Sequence, residues 1–391
     1  MSSPQLQNHD LILDPWNGAG TTTTIGSSLG KCCTGLDLNP VMVIVAKARL
    51  LSAAEKPSVA PLAHDIISKA REGVILADDD PLSLWFRQAA AQRLRAIERA
   101  IYRLLISPKD NDSMHGEAVN RLSSLAAFFY TALFRSVRSL VSLCQTSNPT
   151  WIKRPAARDR LVIQTRTIDR QFVSEVNWMS QRLEVHQNTI DNHIASTVTL
   201  GSSSALPLTD GSVGLVLASP PYCTRIDYAV ATRPELATLG YDEDAFDRLR
   251  RKLIGTTTVE QSCPTTSADW GTACGQFLNA VRNHRSRASA TYYLKSHAQY
   301  FQQLYASIKE LKRVLGPSGA CLLVVQDSYY KEVHNDLPRV VLEMAENVGL
   351  QPMRRVDFNI DSTLARVNPG TRAYRTTFNT TESVLCLQPS H

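Results

Sequence analysis

The sequence predicts a doubly wound, largely parallel α/β sheet carrying a helical insertion. Three observations predict it. Short apolar runs end in an acid or a proline, as buried parallel strands do: LILDP, KCCTGLDLNP and SVGLVLASPPY. The first of these runs into a glycine-rich turn, WNGAG, and then a stretch able to form a helix. Between the second and third lies a long segment whose apolar residues step by three and four. The 391 residues suit one large α/β domain with an insertion, or two modest domains.

The first fifty residues give strand, turn, helix, strand, helix, with VMVIVAKARLLSAAE as the second helix. This is a right-handed βαβα opening of the nucleotide-binding kind. From about Pro57 to Ile194 the pattern is mainly helical. Phe86, Ala90, Leu94, Ile97, Ile101 and Leu104 form one apolar stripe; Leu122, Leu125, Phe129, Leu133, Val137 and Leu140 form another. Sheet pattern resumes with STVTLG and SVGLVLASPPY. A Thr-rich stretch of weak periodicity then runs to about Ala290, with Asp242, Glu243 and Asp244 reading as a helix start. Tyr300 to Leu315 is helical and closes on the turn GPSG. ACLLVVQDS is a strand and LPRVVLEMAENVGL a helix, and MRRVDFNI and ESVLCLQ form a terminal antiparallel pair.

A hydrophobic share of 43% and a charged share of 20% exclude a disordered or fibrous chain. The longest apolar run, Leu122 to Phe134, is too short for a membrane span and stops at Arg135. The start, MSSPQLQNHD, lacks a basic stretch followed by an apolar one, so a soluble, cytoplasmic protein without a secretory leader is expected. The eight cysteines include no CxxC, and the nine histidines are dispersed, so no metal is expected. Between Trp85 and Arg160 there are 13 Lys+Arg against 5 Asp+Glu, although the whole chain is only +6. Such a concentration fits a polyanion-binding surface, and equally a well-solvated helical face.

Two segments carry chemistry. In Asp14-Pro15-Trp16-Asn17-Gly18-Ala19-Gly20-Thr21-Thr22 the glycines let the backbone approach a ligand, and the next helix offers free N–H groups. Asp37 ends the second strand, where a carboxylate reaches a ribose diol. Neither GxGxxG nor GxxxxGK[ST] is present, which favours a nucleoside without pyrophosphate. In Ser219-Pro220-Pro221-Tyr222 two prolines stiffen the exit of an apolar strand. A hydroxyl, a fixed carbonyl and an aromatic ring project together there, suited to an exocyclic amino group on a stacked base.

With these motifs the chain resembles the S-adenosylmethionine-dependent DNA amino-methyltransferases, particularly the cytosine-N4 type. DPWNGAGTT is similar to their DPFxGxGTT loop, and SPPY to their catalytic [DNS]PP[YFW] tetrapeptide. GSSSALPLTDGSVGLVLASPPY and LKRVLGPSGACLLVVQDS are similar to their later strands and helix. The resemblance covers about residues 10–55, 196–240 and 300–388. It implies a methyltransferase-type Rossmann-like sheet in two parts, residues 1–56 and 196–391, around a basic helical insertion at 57–195. Residues 241–295 are then a candidate target-recognition segment.

The resemblance further implies S-adenosylmethionine as cofactor, with Asp14, Pro15, Trp16, Gly18, Gly20, Thr21, Asp37 and Asn39 around it. Ser219, Pro220, Pro221 and Tyr222 are implied as catalytic, with Tyr222 stacking on a flipped base. DNA is the implied partner, with a cognate restriction endonuclease or a helper chain as further candidates. Arg93, Arg99, Arg103, Arg225, Arg354 and Arg355 are candidate phosphate contacts, and Arg366, Arg372 and Arg375 extend the last group. Asp227 and Tyr228 are candidates to steady the base, and Cys223 reads as packing. Two features depart from the family: only about ten residues precede LILDP, where a segment usually folds over the cofactor, and Ser202 stands where an acid is usual. Adenine N6, an RNA substrate and a non-catalytic nucleic-acid-binding role remain as alternatives.

Overall fold

The computed structural model describes residues 11–390 except 73, 108–113, 145–150, 184–195, 224–225, 261, 263 and 361–379. Chain order begins β1 (Ile12–Asp14), α1 (Thr21–Ser28), β2 (Cys33–Asp37) and α2 (Pro40–Ala48). The insertion contributes α3 (Lys56–Lys69), α4 (Gln88–Leu105), α5 (Glu117–Asn120), α6 (Ser124–Leu140) and α7 (Thr165–Arg182). The sheet then resumes with β3 (Thr197–Leu200) and β4 (Val213–Ala218). After these come α8 (Tyr228–Ala231), α9 (Arg233–Thr238), α10 (Glu243–Lys252), α11 (Gly271–Asn283), α12 (Leu294–Val314) and β5 (Leu315–Gln326). A hairpin of β6 (Ser328–Tyr330) and β7 (Val333–Asn335), then α13 (Leu337–Asn347), β8 (Leu350–Ile360) and β9 (Thr380–Pro389), complete the chain.

Seven strands form one sheet in the order β3-β2-β1-β4-β5-β9-β8. The first five pair in parallel, and β9 runs antiparallel to both neighbours. The expected terminal antiparallel pair is thus β8 with β9. The GPSG segment lies within the start of β5, where a register shift against β4 absorbs it. The strand order reverses between β1 and β4. In open parallel sheets the ligand crevice opens there, beyond the carboxyl ends of the strands.

Two apolar clusters cover the sheet. One joins β1, β4, β5 and β9 to α11, α12 and α13. The other joins α2 to α3, α4, α6 and α7 of the insertion, and to α8, α9 and α10. Both predicted stripes face this second cluster, apart from Leu104 at the exposed end of α4. The insertion therefore shares its core with helices on either side of it in sequence. Lys47 on α2 pins the junction: its ammonium donates to the carbonyls of Val119, Asn120 and Leu122. Burial pulls that ammonium down to about 8. Among the described residues no helix is long and apolar enough to cross a membrane.

The charge of the insertion is used differently from the sequence expectation. Arg93 is buried, pairs with Asp169 at 2.7 Å, and donates to the carbonyls of Ala70 and Ile67. It is therefore not a phosphate contact. Arg95 pairs with Asp80 and Glu98 and donates to the carbonyls of Ala237 and Thr238. Arg135 meets Glu175, Arg138 meets Glu235, and Arg154 meets Glu243. The acids that meet Arg93, Arg135, Arg138 and Arg154 all lie outside residues 85–160, and Arg95 meets one on each side of that boundary. Much of the local excess is thereby neutralised in the fold. Arg99 is exposed and Arg103 half-buried.

The buried Arg95 cluster yields a stability prediction. Arg95→Met leaves Asp80 and Glu98 facing each other without their cation, and should lower unfolding stability by about 3–5 kcal/mol. Arg99→Gln should stay within about 0.5 kcal/mol of the parent. Urea unfolding of both variants decides it, and equal midpoints would overturn the assignment.

Candidate functional site

The loop after β1 is built from its own side chains. Asp14, buried at the strand end, accepts the Trp16 amide at 3.2 Å. The Asn17 amide donates to the Leu36 carbonyl at 2.9 Å, which ties the loop to β2. Thr23 of α1 donates to the Asn17 side chain at 3.2 Å, and the Gly20 amide donates to the Asn17 carbonyl at 2.8 Å. Gly20 has φ 83°, and a Cβ there would lie 2.6 Å from the Ala46 Cβ on α2. Only glycine satisfies both conditions.

Asp37 ends β2 beside this turn. One carboxylate oxygen accepts the Gly18 amide at 2.9 Å and the other the Asn39 amide at 2.8 Å. Burial pushes both Asp14 and Asp37 up to about 6, with the charge of Asp37 adding to the rise at Asp14. Asn39 is placed as a helix cap: its oxygen accepts the Val41 amide, and its amide donates to Thr232. Pro15 is buried beneath the loop, and Thr21 is exposed with Arg49 donating to it. Trp16 carries a buried indole N–H that meets no acceptor among the described residues.

Ser219-Pro220-Pro221-Tyr222 leaves β4, the parallel neighbour of β1, with Leu13 level with Val216. That pairing sets the two loops side by side, and Thr22 of α1 donates across to the Leu217 carbonyl at 3.4 Å. Ser219 is exposed and its hydroxyl donates to the Val324 carbonyl of β5 at 3.1 Å. Tyr300 of α12 donates to the Pro221 carbonyl at 2.8 Å. The Tyr222 amide donates to the Tyr228 hydroxyl at 3.4 Å. Burial pushes the Tyr228 phenol up to about 12. Tyr222 is half-buried, its phenol raised by burial and then by Glu382.

Other expected residues fall elsewhere. Cys223 is buried 3.5 Å from the His297 ring, and burial holds its thiol far above the ordinary range, so it packs and is not a ready nucleophile. Asp227 caps α8 and binds Arg250 and Thr257, so its carboxylate is committed to the fold. Arg354 and Arg355 are exposed on β8, with Arg355 paired to Asp357. Arg225, Arg366, Arg372 and Arg375 lie outside the described residues. Ser202 bonds Ser204 at the end of the β3 turn.

Sequence reasoning missed the residues that brace this site. α11 falls in the stretch read as aperiodic, although Cys274, Phe277, Leu278 and Val281 keep helical spacing and are buried, whereas the helix start read at Asp242 to Asp244 is the cap and first turn of α10. The β6–β7 hairpin went unseen because each strand has only three residues. Tyr300 lay within a predicted helix, but nothing in its spacing marked its hydroxyl.

A seven-stranded, mostly parallel sheet with helices packed on it is the architecture of a Rossmann-like methyltransferase. The chain is similar to the type II methyltransferase M.BsoBI of Geobacillus stearothermophilus, 23% identical over 282 residues. That match covers 66% of this chain and 52% of the relative, so it spans about half of the relative's length. It is also similar to the type II methyltransferase M.MvaI of Kocuria varians, 22% identical over 357 residues, covering 85% of this chain and 73% of that one. These similarities support a methyltransferase family. No protein-family profile and no solved structure matches the chain.

Gly20→Ala should destabilise the fold by roughly 2–5 kcal/mol, from the left-handed backbone and the collision with Ala46. Gly275→Ala, mid-helix in α11 with open space around it, should be neutral or stabilising by up to about 1 kcal/mol. Thermal unfolding of the two variants checks the contrast.

Proposed function

We propose that this protein is an S-adenosylmethionine-dependent DNA methyltransferase acting on an exocyclic amino group, cytosine N4. One observation carries the reading. The glycine loop after β1 and the Ser-Pro-Pro-Tyr loop after β4 leave adjacent parallel strands at the switch point of the sheet. The two relatives, both type II methyltransferases, agree with it. The cytosine preference rests on the resemblance of SPPY to the cytosine-N4 tetrapeptides.

The residues present fit the cofactor. Gly18 leaves room for close approach, Gly20 lets the turn pack against α2, and the Trp16 indole offers a buried donor that meets no acceptor among the described residues. Asp37 commits one lone pair of each oxygen to an amide and keeps the other for a ribose hydroxyl. Asp14, Pro15, Trp16, Gly18, Gly20 and Thr21 would line the cofactor, with Asn39 acting through the position of Asp37. When bound, the cofactor supplies an electrophilic methyl group on a sulfonium.

The chain's work is positioning. The Ser219 proton is directed at Val324, so its oxygen faces the cleft as an acceptor. That oxygen and the Pro220 carbonyl would accept hydrogen bonds from the two amino N–H groups, which turns the nitrogen lone pair to the methyl; the N–C bond forms as the carbon–sulfur bond breaks, and the nitrogen then loses one proton to solvent. Tyr222 stacks on the extruded base. The protonated Cys223 fits direct transfer without a covalent enzyme intermediate. Residues 1–56 and 196–391 form the catalytic body around the insertion at 57–195, with DNA as substrate and a cognate nuclease or helper chain as further partners.

Incubation of DNA with labelled S-adenosylmethionine, followed by nucleoside mass spectrometry, should yield labelled N4-methylcytosine. Ser219→Ala with Tyr222→Ala should remove it. Labelled N6-methyladenine would overturn the base, and label on RNA alone would overturn the substrate. A pH series adds an independent check. The carboxylate of Asp37 is the binding form, so cofactor affinity should hold above its value of about 6 and weaken as pH falls through it. Asp37→Asn should bind more weakly at pH 8 and lose most of that dependence, as read by calorimetry.

A further inference from the structure

Residues 270–309 contain no aspartate or glutamate, but do contain Arg282, Arg285, Arg287, Lys295 and Lys309. The structure folds the centre of this stretch against the β6–β7 hairpin. A cavity of about 410 Å³ opens there, lined by Ser286, Arg287, Ala288, Tyr292, Tyr293 and Lys331. Its walls join two cations to two aromatic rings, a combination suited to a phosphodiester with its attached sugar and base.

The backbone around the cavity is unusual. Ala288 and Lys331, at φ 64° and 56°, are the two non-glycine residues in the left-handed region among those described, and both line it. Residues Ser289–Tyr293 form a π-helical turn that leads into α12. Left-handed non-glycine residues are strained and concentrate where a ligand is gripped. Here the surroundings impose them. Ser286 and Ser289 both bond the Tyr330 hydroxyl, the Tyr330 ring contacts Tyr293 and His297, and His284 holds Glu332 at the hairpin tip.

The cavity is coupled to the Ser-Pro-Pro-Tyr loop by short contacts. Tyr292 donates to the Thr257 carbonyl at 2.7 Å. Two residues earlier, a Cβ on Gly255 would lie 3.2 Å from the Tyr222 carbonyl. On the other side, His297 touches Cys223 and the Tyr330 ring. The cavity is therefore joined to the Tyr222 loop through Tyr292 and residues 255–257 on one side, and through Tyr330 and His297 on the other.

We propose that this cavity holds a backbone phosphate of the substrate DNA strand beside the extruded nucleotide, with Arg287 and Lys331 as its cations. The inference rests on the DNA-methyltransferase reading and adds to it the surface that anchors the strand. It also moves the phosphate contacts from the insertion, where Arg93 is committed to Asp169, to Arg287 of the acid-free segment and Lys331 of the facing hairpin. Arg287 and Lys331 are positioning residues: they fix the strand and do not touch the reacting atoms.

Fluorescence anisotropy with a labelled duplex, between about 50 and 300 mM salt, tests it on the full chain. Arg287→Gln with Lys331→Gln should weaken binding about tenfold. The slope of log K against log salt should become shallower by about 0.9 for the one phosphate lost. Cofactor affinity and melting temperature should not change, and Arg287→Lys with Lys331→Arg should restore both affinity and slope. In turnover, KM for DNA should rise while kcat is kept. A double variant with the parental slope, in a protein whose parent binds and methylates DNA, overturns the cavity alone. A parent that neither binds nor methylates duplex DNA overturns the underlying reading and the cavity with it. Binding confined to RNA does the same.

Discussion

The parallel pairing of β1 with β4 is the constraint on which the site depends. A parallel ladder sets both carboxyl ends at one edge of the sheet, so each strand delivers its loop to the same place. Neither loop could reach the other by local geometry, since about two hundred residues separate them in sequence. The insertion and the later helices must then cover the sheet without obstructing that edge. They do so by sharing a core with α2, and Lys47 closes the seam between them.

The tetrapeptide loop is braced from several directions. Val324 of β5 takes the Ser219 proton, Tyr300 of α12 donates to the Pro221 carbonyl, and Tyr228 takes the Tyr222 amide. Two prolines already limit the backbone. A loop so restrained loses little entropy on binding, which matters when the proposed chemistry relies on placing a lone pair in line with a methyl group. The Thr22 hydroxyl on the Leu217 carbonyl links the end of β4 to the helix that follows the glycine turn.

The sequence was legible where a feature is local. Asp14, Gly18, Gly20, Asp37 and Ser219 to Tyr222 declare themselves because strand ends, turns and proline pairs are written in adjacent residues. The apolar stripes of α4 and α6 are local in the same sense, whereas charge is not. The excess between Trp85 and Arg160 fitted a polyanion surface or a solvated helical face equally, but the acids that take up Arg93, Arg135, Arg138 and Arg154 are Asp169, Glu175, Glu235 and Glu243. A running sum along the chain cannot see such partners. Asn39 is a milder instance: its place after Asp37 suggested cofactor contact, while the fold uses its side chain to cap α2 and hold Thr232.

The acid-free run at 270–309 is a better guide than the cation excess of the insertion, for a physical reason. A surplus of cations can always be neutralised by acids from elsewhere, as in the insertion, and the paired arginines then belong to the core. A long absence of acids removes the nearest partners along the chain. The acid whose charge reaches the exposed Arg285 is Glu332 of the facing hairpin, itself bonded to His284. Asp14 and Asp37 lie on the side of the glycine loop, where a cationic sulfonium and a ribose diol would be favoured. Arg287 and Lys331 line the cavity against the hairpin, where a polyanion would be favoured. On the proposed reading, methyl donor and strand are each drawn by the field they meet, the donor by the carboxylates of the glycine loop and the strand by these cations.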